Sequence, residues 1–82
     1  MNVILIEEYL NAVHDTQWSE KCAISTYTTF MSSDNRLMIH VYYLHRADIK
    51  TSIYSIVFSS NNFKIWMGKK ERQEKLNSIL NT

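Results

Sequence analysis

The chain contains no proline, one glycine (Gly68) and one cysteine (Cys22) in 82 residues. Without proline, and with a single glycine, its turns must be built from Asn, Asp and Ser, which tolerate φ > 0 or bond their own backbone. A lone cysteine forms no internal disulfide. That excludes a disulfide-stapled secreted scaffold and points to a reducing, cytoplasmic setting. No apolar run approaches the ~18–20 residues a membrane span needs, and VILI at 3–6 is too short for the core of a signal peptide. We therefore expect no membrane association. The net charge is +1, so no global field draws the molecule to nucleic acid or anionic lipid. One glycine also rules out a Gly-rich phosphate loop.

What is present reads as one domain over 1–82 with an ordinary apolar fraction. In NVILIEEYLNAVHD, Val3, Ile6, Leu10 and Val13 recur every three or four residues, which predicts a helix, with Asn2 placed to cap it. DTQWSEK reads as a connection. Four strand-like runs follow at roughly 22–31, 37–45, 50–58 and 63–67, separated by SSDN, RAD and SSNN. Connections this short imply an antiparallel meander. After Gly68, KKERQEKLNSILNT reads as a second helix with Leu76, Ile79 and Leu80 inward and Glu71–Lys75 spaced for an ion pair. The expected fold class is α+β, ordered α-β-β-β-β-α, with both helices on one sheet face.

Turns centred on Asp34–Asn35, Ala47–Asp48 and Asn61–Asn62 set a register. Phe30 then faces Ile39, Ile39 faces Ile56, and Val41 faces Tyr54. One face gathers Ile24, Phe30, Leu37, Ile39, Val41, Tyr43, Tyr54, Ile56, Phe58, Phe63, Ile65 and Met67 as the core. The other carries Tyr27, Met31, Met38, His40, Tyr42, Leu44, Ile53, Val57, Lys64 and Trp66. That second face is more apolar than a solvated sheet face requires. Cross-strand pairing alone explains part of this. The rest resembles the core of a protein interface, where Tyr, Trp and Met act as anchors. The edge strand CAISTYTTFMSS carries no charge, so a second copy or a partner's strand can pair with it, giving a homodimer through 22–31 or strand addition. The opposite edge, 63–67, is short and blunted by Lys64.

Candidate chemistry is sparse. Cys22 and His45 fall near each other at a sheet end without an orienting third group or an oxyanion loop. No CxxC, HxH or HExxH spacing occurs, so no metal and no cofactor are expected. His40 beside Tyr42 supports a small hydrolase or ribonuclease-like toxin only weakly. Residues 1–20 hold four acids and no Lys or Arg, whereas Lys64, Lys69, Lys70, Arg72 and Lys75 cluster near Trp66.

The sequence therefore supports three functions in order. First is a non-enzymatic protein-interaction module, an inhibitor or accessory protein that occludes or assembles a protein partner through Tyr27, Met31, Met38, Tyr42 and Trp66. The Ile-, Asn-, Lys-, Ser- and Tyr-rich composition is associated with small viral or mobile-element proteins. Second is an RNA- or DNA-binding module using Lys64, Lys69, Lys70 and Arg72 with Trp66. Third is the hydrolase around His40.

Overall fold

The computed structural model describes residues 2–48 and 52–80. Its elements run α1 (Val3–Val13), α2 (Trp18–Lys21), β1 (Cys22–Met31), β2 (Leu37–His45), β3 (Tyr54–Ser59) and α3 (Ser60–Leu80). The fold is α+β. The sheet is antiparallel, three-stranded and ordered β1-β2-β3, with helices at both ends of the chain.

Asn2 caps α1 as its position suggested: Oδ1 accepts the Ile4 N–H at 2.9 Å. DTQWSEK is more than a connection. It holds the single turn α2, which buries Trp18. Asn11 pins this turn to α1, donating from Nδ2 to Ser19 Oγ and accepting the Ser19 N–H at Oδ1, both at 2.9 Å.

The expected fourth strand over 63–67 is absent. Those residues lie inside α3, which starts directly at the end of β3 and not after Gly68. Ser59 makes this start possible, because its Oγ accepts the Asn62 N–H at 3.3 Å. Phe63, Trp66 and Met67 then recur at helical spacing and pack towards the core. Five residues of alternating apolarity fit either periodicity, and the cap decides for the helix. Gly68 sits in mid-helix, where a Cβ would meet only Arg72 Nη2 at 3.8 Å. The predicted 50–58 run is strand only over Tyr54–Ser59, and its residues 50–51 lie outside the described residues.

The register also differs. Ser32–Arg36 forms a five-residue loop closed by the Ser32 N–H donating to the Arg36 carbonyl at 2.8 Å, with Asn35 in the left-handed region at φ 63°. An odd-length loop moves the β1–β2 pairing by one residue relative to a two-residue turn. Phe30 therefore opposes Met38, and Tyr27 opposes Val41. A one-residue slip exchanges faces, so Phe30 leaves the core side and Tyr27 joins it. A bulge between Ile24 and Thr26 restores Ile24 to the core. Between β2 and β3 the pairing is Ile39–Phe58, Val41–Ile56 and Tyr43–Tyr54. This is two residues from expectation, so it preserves the faces.

The core sits between the sheet and the helices. Ile6, Leu10, Ile39, Val41 and Phe63 are wholly buried, joined by Tyr9, Trp18 and Cys22. Tyr9 is the aromatic hub, with ring centroids 4.9 Å from Phe58, 5.2 Å from Phe63 and 5.4 Å from Trp66. Val13, Leu76, Ile79 and Leu80, expected inside, are at least half exposed. The reason is length. At ~1.5 Å per residue α3 spans about 31 Å, longer than the sheet and α1 can cover, and every residue from Glu71 to Leu80 is exposed. The radius of gyration, 14.8 Å, exceeds the roughly 12 Å of a compact chain of this length.

Candidate functional site: an uncovered sheet face

The buried apolar helix residues, Ile6, Tyr9, Leu10, Trp18 and Phe63, share one core with Ile39 and Val41 of the sheet. The register places Thr26, Thr28 and Phe30 of β1, Met38, His40, Tyr42 and Leu44 of β2, and Ser55, Val57 and Ser59 of β3 on the opposite side. Among the described residues no helix crosses this side. Phe30 and Val57, on the two outer strands, are 40% and 44% exposed, while Met38, His40, Tyr42 and Leu44 on the central strand are half-buried by their neighbours.

The centre of the face is a stacked pair. The His40 and Tyr42 rings lie 4.3 Å apart at 27°, with Tyr42 Oη 3.3 Å from His40 Nδ1, and Phe30 stands edge-on to His40 at 6.2 Å. His40 Nε2 is buried and has no hydrogen-bond partner among the described residues. A general base must reach the proton it abstracts. With one ring nitrogen against Tyr42 and the other sealed, His40 is placed as part of an apolar stack. No described carboxylate or cation hydrogen-bonds to either ring.

Both sheet edges lack charge. β1 has none over its ten residues, and the other edge is β3, YSIVFS, and not a strand guarded by Lys64. Three strands without Lys, Arg, Asp or Glu, and an open face that mixes apolar with hydroxyl side chains, form a surface disposed towards strand or face pairing.

Of the residues anticipated as partner contacts, Met38 and Tyr42 lie on this face. Tyr27 faces the helices and packs on the core. Met31 ends β1 opposite Leu37 on the helix side, beyond the helices, and is 59% exposed. Trp66 lies on α3 against Tyr9 and Phe63. The sequence puts Phe30 in the core because nothing in SSDN distinguishes an odd loop from a two-residue turn.

The basic cluster is divided. Lys70 forms an ion pair with Glu8 of α1, approaches Glu74 at 3.9 Å, and sits 5.4 Å over the Trp66 ring. Trp66 is thus half-buried, with Lys70 over its ring and the core aromatics Tyr9 and Phe63 beside it. The Glu71–Lys75 pair is replaced by Lys70–Glu74. Lys64, Lys69 and Arg72 are exposed.

Cys22 and His45 are direct cross-strand partners, with Sγ 3.7 Å from Nδ1. The thiol is buried, and desolvation pushes its pKa up, with the Asp15 charge adding to the rise. That opposes thiolate formation. No described carboxylate hydrogen-bonds to His45; its ring is flanked instead by Tyr43 at 5.9 Å and Tyr54 at 4.6 Å. Among the described residues, no group of three or more His, Cys, Asp or Glu is arranged to hold a metal, and no helix is long and apolar enough to cross a membrane.

The architecture defines a class: a three-stranded antiparallel α+β module with helices packed on one side and a partly apolar sheet face open on the other. Comparison with protein-family models, curated proteins and solved structures gives no match.

Proposed function

We propose that this chain is a non-enzymatic protein-interaction module that docks a protein partner on its open sheet face. Phe30, Met38, Tyr42, Leu44 and Val57 are the contact residues, and the uncharged edge β1 is a second point of attachment for a partner's strand or a second copy. The observation that carries this reading is the packing of the buried apolar helix residues on one side of the sheet, which leaves Met38, Tyr42 and Leu44 of the central strand, with Phe30 and Val57 beside them, on the other. Exposed patches of this composition mark interaction sites. The chemistry is occlusion or assembly, with the partner burying the apolar row and losing access to its own matching surface. An inhibitor or accessory protein works in this way without catalytic groups.

The nucleic-acid reading ranks behind it, since Lys70 is neutralised by Glu8 and Trp66 is engaged in packing. The hydrolase reading has no exposed base at His40 to support it.

The test is affinity capture with wild type, Tyr42→Ala and Val57→Lys. Both variants are expected to keep the wild-type circular dichroism spectrum and to lose most of a captured protein that survives nuclease and changes little with salt. Capture that disappears with nuclease, or falls steeply with salt, would move the function to the basic residues of α3. Unfolding of Tyr42→Ala would show that this face is structural.

A further inference from the structure

β1 is the longer of the two sheet edges, ten residues against six in β3, and carries no charged side chain. We propose that the partner of this edge is a second copy of the chain, with β1 pairing antiparallel to its twofold mate about Thr29 so that two three-stranded sheets become one. Such a dimer rests on the reading of β1 as an attachment edge and names its occupant.

The backbone sets the register. Ser32 donates its N–H to the Arg36 carbonyl, so residue 32 turns its N–H to the β2 side. Successive residues of an antiparallel strand turn their N–H and C=O groups to opposite sides. Phe30, opposite Met38, and Thr28, opposite His40, therefore bond to β2, and Tyr27, Thr29 and Met31 direct theirs to the sheet edge. The bulge between Ile24 and Thr26 ends this regular run. A second copy can hydrogen-bond only to the edge-directed set. Centring the twofold on Thr29 uses all of it: Thr29 opposes Thr29, and Tyr27 opposes Met31 in both directions. An axis at Thr28 sets Met31 against Ser25, at the bulge, and an axis at Phe30 sets Tyr27 against Ser33, in the loop.

The side chains fit that register. Thr26, Thr28, Thr29, Phe30 and Met31 are exposed. Met31, 59% exposed on the helix side, comes against Tyr27 of the second copy as a sulfur–aromatic contact. Phe30, on the open side, comes beside Thr28 of the second copy. No like charges meet, because residues 26–31 hold no Lys, Arg, Asp or Glu. The pairing uses the same edge of both copies, so it closes on itself and withdraws the uncharged strand from further association. It also joins the two open faces into one continuous surface.

The test is sedimentation velocity of the full-length chain from about 1 μM to about 1 mM, which spans weak to moderate association. Passage from monomer to dimer is expected. Thr29→Lys sets like charges across the axis from an exposed position and should raise the dissociation constant at least about tenfold, with an unchanged circular dichroism spectrum. Thr29→Cys should form a disulfide-linked dimer under mild oxidation, since facing Cα atoms lie about 5.5 Å apart in such a pair, whereas Thr26→Cys should not. A chain monomeric throughout, a dimer indifferent to Thr29→Lys, or cross-linking of Thr26→Cys as readily as Thr29→Cys would overturn the pairing. The open face fails separately: a Thr29-centred dimer that captures no protein refutes the face alone, and a monomer that captures protein through Tyr42 refutes the dimer alone.

Discussion

Ile39 and Val41 have no exposed surface, and both lie on the central strand beneath α1 and Phe63. Ile39→Ala should cost about 2–5 kcal/mol, a large share of the roughly 4–12 kcal/mol available to a domain of this size, and denaturant unfolding reads the loss directly. His40 behaves differently. Its buried Nε2 has no partner among the described residues, so His40→Phe removes an unsatisfied polar atom while keeping the stack on Tyr42. The change should be neutral or stabilising by up to ~1 kcal/mol, and a loss above that would show that the nitrogen has a partner in solution. Asp15 accepts from the Gln17 N–H at 2.9 Å and from Lys21 Nζ at 3.0 Å, and the backbone bond first, then the lysine, hold its pKa below the ordinary carboxylate value. A depressed pKa contributes stability above the unfolded value and loses it as pH falls through the folded one. An NMR titration of the Asp15 carboxyl should give a midpoint below that of a model aspartate. At this scale Ile6, Leu10, Ile39 and Val41 were legible as core from spacing alone. Trp18 was not, because a four-residue turn carries no periodicity to read.

Among the elements, α3 departs furthest from what local pattern suggests. Alternation in 63–67 fits a strand, and Gly68 looks like punctuation, but the Ser59 cap and the Phe63–Trp66–Met67 spacing give one helix through both. Because Gly68 is interior and a Cβ there meets only a flexible arginine tip, Gly68→Ala should stabilise the fold by about 0.5–1 kcal/mol, measured by thermal or urea unfolding. The distal half of α3 makes the opposite point. Leu76 and Ile79 look like a core stripe and are 50% and 62% exposed. Leu76→Gln and Ile79→Gln should each change stability by less than ~0.5 kcal/mol. For β1 the length of the Ser32–Arg36 loop decides which side Phe30 and Tyr27 take. Composition does not encode that one-residue difference, whereas the β2–β3 faces survived a two-residue shift because strand periodicity is two.

Over the whole molecule, the helices concentrate burial on one side and leave the other to its neighbours. Extents of 49 × 35 × 18 Å describe a thin plate with α3 running past its end. The class, α+β with an antiparallel meander and flanking helices, was readable in the order of periodicities. The composition of the open face was readable only in part: Met38, His40, Tyr42, Leu44 and Val57 were foreseen, Phe30 was missed, and Tyr27 and Trp66 turned out to belong to the core side. Contacts across a sheet depend on loop parity and on the true number of strands, and both are tertiary facts.

The measurement that bears most directly on the open face is site-specific photo-cross-linking in a lysate of the source cells, with benzoylphenylalanine at position 42 and, as control, at position 7 on α1. A discrete protein adduct is expected from position 42, resistant to nuclease and competed by excess unlabelled protein, and little from position 7. No adduct from position 42, or the same adducts from both positions, would contradict docking on this face.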